Sequence, residues 1–119
     1  MKTGKLAAGM LLLIGPSVGA RSSVDLHVSP TVATAPATLR IRATVAPNAD
    51  NRAVAIIADS DYFFRSSELP LEGDNAPRNV DVEYRNVPAG TYDISGVVIG
   101  PRGKQLAIAH STVTIIGSN

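Results

Sequence analysis

The sequence contains no cysteine and no tryptophan, only two histidines, and five aromatic residues in 119: three Tyr and two Phe. Without a thiol there is no disulfide framework, no thiolate nucleophile, no sulfur-ligated zinc or copper centre and no cysteine for a lipid anchor. His27 and His110 fall on the first and last strand candidates, and two imidazoles without a nearby carboxylate fall short of a closed zinc site. Neither a metal nor a cofactor is therefore expected. Beyond residue 20 no serine stands in a G-x-S-x-G turn, none in the chain stands in an S-x-x-K motif, and no base with an orienting third group is visible beside one. The chain reads as a protein that is not an enzyme.

Long hydrophobic runs are also missing. The longest, Leu6 to Ile14, is well short of the roughly 20 residues that a membrane-spanning helix needs. It follows Lys2 and Lys5 and precedes Gly15-Pro16 and the small residues Val18 and Ala20, the three-part pattern of a secretory signal peptide. Residues 1–20 are expected to be a cleavable signal peptide and residues 21–119 a single domain, exported to the periplasm or the extracellular space without a membrane anchor. Eleven Lys and Arg against ten Asp and Glu give a net charge of +1; without Lys2 and Lys5 the balance is −1. A nearly neutral chain has no basic stripe for phosphates, so no nucleic-acid partner is expected.

What is present is alternation. Leu39, Ile41, Ala43 and Val45 alternate with Arg40, Arg42 and Thr44, and Val80, Val82 and Tyr84 with Asp81, Glu83 and Arg85. Period two places the apolar set of each strand on one face and the charges on the other. Further strand candidates run over Val24 to Val28, Ala53 to Ala58, Tyr62 to Ser66, Thr91 to Ile99 and Leu106 to Ile116. Turn chemistry separates them: residues 47–51 are expected to close a hairpin, 73–77 to precede a strand, and 100–103 to form a tight turn. About seven short strands in about 100 residues predict an all-β antiparallel sandwich. Its expected core is Leu39, Ile41, Val45, Ile57, Val80, Val82, Tyr84, Tyr92, Ile94 and Val98. In the last strand Leu106 and Ile108 are out of phase with Val113 and Ile115, which predicts a β-bulge or a change of sheet near residues 110–112, or two partly buried faces.

In "NVPAGTY", Pro88 and Gly90 turn the chain and Tyr92 restarts the strand in phase with Ile94. A Tyr so placed can bury its ring and return its hydroxyl to a backbone group, as in the tyrosine corner of immunoglobulin-like sandwiches. "APATLRIRATVAP" followed by "NVPAGTYDISGVVIGPRGKQLAIAHSTVTI" resembles strands of bacterial exported immunoglobulin-like modules, the broad group that includes PKD and fibronectin type III domains. There is no Trp, no Cys pair and no WDFGDG-like segment, departures from the antibody-type and standard PKD patterns. The resemblance implies an immunoglobulin-like fold with a noncatalytic binding, spacer or adhesive role.

Two surfaces are candidates for partner contact. Tyr62, Phe63 and Phe64 are consecutive, so period two cannot bury all three rings on one face. Arg102 and Lys104 form a small basic tip between the last two strands. The partner is expected to be a protein, with a carbohydrate or small ligand stacked on the aromatic run as the alternative and a hydrolase third. Asp59, Asp61, Glu68, Glu72 and Asp74 also cluster, but their spacing does not match an EF-hand loop, and they read as a solvated segment.

Overall fold

The computed structural model describes residues 22–117. The predicted signal peptide, residues 1–20, lies outside the described residues. Eight strands follow one another: β1 (Val24–Ser29), β2 (Val32–Thr34), β3 (Ala37–Val45), β4 (Ala53–Asp59), β5 (Phe64–Pro70), β6 (Asn79–Val87), β7 (Gly90–Ile99) and β8 (Gln105–Ile116). They form a three-stranded sheet of order β1-β3-β6 and a five-stranded sheet of order β2-β8-β7-β4-β5. The fold is all-β, with the two sheets packed face to face.

The alternating strands bury the residues their pattern selects. Leu39, Ile41, Ala43 and Val45 of β3 point inward, as do Tyr92, Ile94 and Val98 of β7 and Val113 and Ile115 of β8. Val80 and Val82 of β6 are half-buried against this core. In β4 the phase is the opposite of the expected one: Val54, Ile56 and Ala58 are fully buried, and Ile57 lies on the outer face. The segment "AVAIIA" is apolar in both phases, so alternation carries no information there; its pairing with β5 and β7 sets the phase.

Three further expectations are corrected. Residues 47–51 do not close a hairpin but carry the chain from β3 in one sheet to β4 in the other. β8 runs unbroken through residues 110–112; its register shift lies at the other end, where Val98 pairs with Ala107 and Ile99 with Gln105. The skipped residue, Leu106, explains why its phase disagrees with Val113 and Ile115. The arrangement is also not wholly antiparallel, because β2, set off by Pro30 and Pro36, pairs parallel with β8.

Polar side chains close both ends and one side of the sandwich. Asn51 is fully buried: its amide donates to the Ala46 carbonyl at 2.9 Å, and its side-chain oxygen accepts from Ser22 Oγ at 2.9 Å. Its carbonyl accepts from the Gly73 N–H at 3.1 Å, so one residue joins three chain segments. Tyr84 of β6 reaches across to the other sheet, donating to the Ile56 carbonyl at 3.0 Å and sharing a 3.0 Å hydrogen bond with Ser67 Oγ. The phase of β4 gives a direct test: Ile56→Ala should lower unfolding free energy by ~2–5 kcal/mol, and Ile57→Ala by less than ~1 kcal/mol, in urea denaturation.

Candidate functional site

Each outer face follows from the inner one, because every residue next to a buried one in a strand points outward. On the three-stranded sheet the outward rows are His27, Arg42 and Asp81, then Ser29, Arg40 and Glu83. These residues rim a shallow hollow of about 640 Å³. Its charges are largely paired along the face. Arg42 makes a two-pronged contact with Asp81 at 2.8 and 3.2 Å, and Glu83 takes Arg85 at 3.2 Å with Arg40 at 4.0 Å. The hydrogen bond from Arg42, aided by its charge, holds the Asp81 carboxyl below the usual carboxylate range. Three arginines thus share two carboxylates, and Arg40 holds its partner least closely.

The outer face of the five-stranded sheet differs in kind. Ladder pairing gives four rows: Phe64, Asp59, Asp93 and Thr112; Ser66, Ile57, Ser95 and His110; Glu68, Ala55, Val97 and Ile108; and Pro70, Ala53 and Ile99. The exposed large apolar residues among those described are Val32, Tyr62, Phe64, Ile108 and Ile116. Val32, Phe64, Ile108 and Ile116 point outward from this sheet, and Tyr62 sits in the turn between two of its strands.

The aromatic run is divided by its period. The Ser60 N–H and Oγ both donate to the Phe63 carbonyl, at 2.9 and 3.2 Å, which places Asp61 and Tyr62 at the tip of the β4–β5 turn. Tyr62 is 99% exposed and Phe64 63%. Phe63 turns inward, edge-on to Tyr92 with ring centres 6.0 Å apart, and carries the Arg65 guanidinium 5.2 Å above it. Phe63 is thus partly buried against the core, while Tyr62 and Phe64 stand in solvent.

The Asp59 and Asp93 carboxylates are direct cross-strand neighbours, and with Asp61 they line a small polar cleft of about 280 Å³ beside Thr91, Tyr92 and Thr112. His110 Nδ1 lies 3.4 Å from Asp93 and 3.4 Å from Ser95 Oγ. His27 is on the other sheet's outer face, so the two histidines are not brought together. Among the described residues, no group of three or more His, Cys, Asp or Glu side chains is placed to hold a metal ion.

Pro88, Gly90 and Tyr92 form the corner where β6 of one sheet passes to β7 of the other. Tyr92 is fully buried and its hydroxyl donates to the Pro88 carbonyl at 2.8 Å. Gly90 has φ 155°, and a Cβ there would stand 3.4 Å from the Tyr92 ring. At the far end of the same sheet, Arg102 and Lys104 are exposed on the β7–β8 turn, closed by a 2.7 Å bond from the Gly100 N–H to the Lys104 carbonyl. Arg102 adopts φ 61°. Sequence reasoning missed that the aromatic and basic candidates occupy opposite ends of one face; strand pairing decides that, and no local motif encodes it. It also missed the Asp59–Asp93 pair, whose members are 34 positions apart.

No family model and no curated protein matches the sequence. Among solved structures, two of the superoxide reductase (neelaredoxin) from Ignicoccus hospitalis are similar. The first has a TM-score of 0.58 at 11% identity over 82% of each chain, and the second 0.57 at 13% identity over 81% of this chain and 82% of that one. A CARDB domain from Pyrococcus furiosus, solved with di-metal ions, has a TM-score of 0.46 at 11% identity over 82% of this chain and 94% of that one. At such identities the likeness concerns the all-β fold alone.

Two outcomes test this geometry. Tyr92→Phe keeps the ring and loses the bond to Pro88, and should cost about 1 kcal/mol in urea denaturation. A depressed folded-state carboxyl at Asp81 adds stability that is complete above the unfolded value of ~3.9 and is lost as pH falls through the lower folded value. Asp81→Asn should therefore flatten the acid limb of the stability–pH curve, and carboxyl-detected NMR should find Asp81 titrating below the ordinary aspartate value of ~3.9.

Proposed function

We propose that the chain is a noncatalytic, exported, immunoglobulin-like binding module that docks another polypeptide on the outer face of its five-stranded sheet. The observation that carries this reading is the difference between the two outer faces. One is a ladder of charges in which three arginines share two carboxylates; the other holds or borders every exposed large apolar side chain among the described residues. Exposed apolar side chains gathered on one face and not the other support an interaction surface there. Reaction chemistry finds less support: Ser95 and Asp93 both approach the same His110 nitrogen, Nδ1, so the imidazole does not stand between a nucleophile and an orienting carboxylate, and His110 and Asp93 are open to solvent.

Tyr62 favours a second reading, a carbohydrate ligand. Its ring stands wholly exposed beside Asp59 and Asp61, an arrangement that combines a stacking surface with hydroxyl acceptors.

The test is affinity capture with the tagged full chain from envelope and secreted fractions, comparing Ile108→Asp with Arg40→Glu on the opposite face. Capture of a polypeptide that is lost with Ile108→Asp and kept with Arg40→Glu is expected. The reverse pattern would place the contact on the three-stranded sheet. Binding to a glycan array that disappears with Tyr62→Ala would favour the second reading.

A further inference from the structure

We propose that the edge of β5 receives an extended, basic segment of another polypeptide as a sixth strand of the five-stranded sheet. The inference goes beyond the docking reading above, because it concerns the backbone edge of that sheet and not its outer face. The β4–β5 ladder is closed at its ends by the Ser60 N–H on the Phe63 carbonyl, at 2.9 Å, and the Leu71 N–H on the Arg52 carbonyl, at 2.8 Å. Bonded pairs alternate along an antiparallel ladder, so Arg65, Ser67 and Leu69 direct their backbone groups to β4. The N–H and C=O groups of Phe64, Ser66 and Glu68 point the other way, and β5 is the last strand of its sheet. Among the described residues nothing bonds them. Pro70 has no N–H, so the row of donors stops there. A line of unpaired donors and acceptors on an edge strand is a template for an incoming strand.

Charge chooses the occupant. Glu68 projects outward from the edge strand itself, Asp61 stands in the turn before it, and Glu72 and Asp74 follow it; all four are exposed. None forms an ion pair within 4.0 Å among the described residues. The one cation of the strand, Arg65, is in the opposite phase. Its guanidinium lies over the Phe63 and Tyr84 rings, at 5.2 and 5.5 Å, and donates to the Arg85 carbonyl at 3.1 Å. The outward side of the edge is therefore acidic along its length, and Lys or Arg on the same side of an incoming strand would pair with it. A second copy of β5 is disfavoured for the same reason, because edge-to-edge pairing would set two acidic flanks together. The last strand of the other sheet, β6, differs: Arg42 and Arg85 already hold its Asp81 and Glu83, and Arg65 occupies its Arg85 carbonyl.

The probe is a short synthetic peptide of alternating Lys and Val, with a Glu and Val peptide as its control, titrated into the full chain. The Lys peptide should bind with a dissociation constant below about 1 mM and the Glu peptide should not. Amide exchange followed by NMR should show protection gained at Ser66 and Glu68 in the complex. Methylating the backbone nitrogens of the Lys residues should abolish binding, and methylating those of the Val residues should not. Residues opposite Phe64, Ser66 and Glu68 aim their N–H groups at β5, and the alternate ones aim away. Glu68→Lys with Glu72→Lys should weaken the Lys peptide by at least about tenfold and admit the Glu peptide. Ser66→Pro removes one edge donor and no bond to β4, and should also weaken binding by at least about tenfold, with circular dichroism as the check of folding. The methylated peptides make the same test on the unaltered protein. No binding at about 1 mM, equal binding of the two peptides, or indifference to methylation of the Lys nitrogens would overturn the proposal. Capture through the Ile108 face is a separate measurement, and either contact can fail without the other.

Discussion

Every surface of this molecule is set by the two-residue period of a strand acting on a core that lies between two sheets. Once Leu39, Ile41, Ile56, Ile94 and Val113 are buried, the residues beside them have no choice of side. A slip of one residue in β4 would put Ile57 inside and turn Ile56, Val54 and Ala58 to water. Tyr84 adds a directional lock, because its hydroxyl meets the Ile56 carbonyl only in the observed register.

With no disulfide available, buried polar groups join the parts that alternation alone would leave loose. Asn51 gathers the segment before β1, the β3–β4 connection and the turn after β5. Tyr92 ties the β6–β7 connection to the strand it feeds. These groups sit at ends and corners, where the ladder hydrogen bonds stop and the chain changes sheet. Each is satisfied, and no buried side-chain N or O atom among the described residues lacks a partner.

The fold was legible wherever apolar and charged residues alternate, as in β3 and β6, and where Pro and Gly punctuate, as at the corner before Tyr92. It was illegible where both phases are apolar: "AVAIIA" became a central strand whose outer face is itself partly covered, so its phase was decided by neighbours. β2 spans only three residues, too few to show a period. Leu106 showed an irregularity in the pattern, but its position depended on pairing with Val98 and Ile99. For the candidate site, composition pointed to the aromatic turn and the basic tip separately. Only the strand order put them on one sheet, and only packing set Phe63 apart from Tyr62 and Phe64.

The switch of the N-terminal strand between sheets has a consequence for sheet edges. β1 pairs with β3; after Pro30 the chain crosses over, and β2 lies parallel to the end of β8. The Thr114 N–H donates to the Thr31 carbonyl and the Ala35 N–H to the Ile116 carbonyl, so donors and acceptors at the end of β8 are occupied from within the same chain. An open strand carrying Val113, Ile115 and Ile116 would be a template for pairing with any extended apolar segment. Five residues between two prolines thus act as a built-in guard over the end of β8, while β5 on the opposite side of that sheet keeps a free backbone edge.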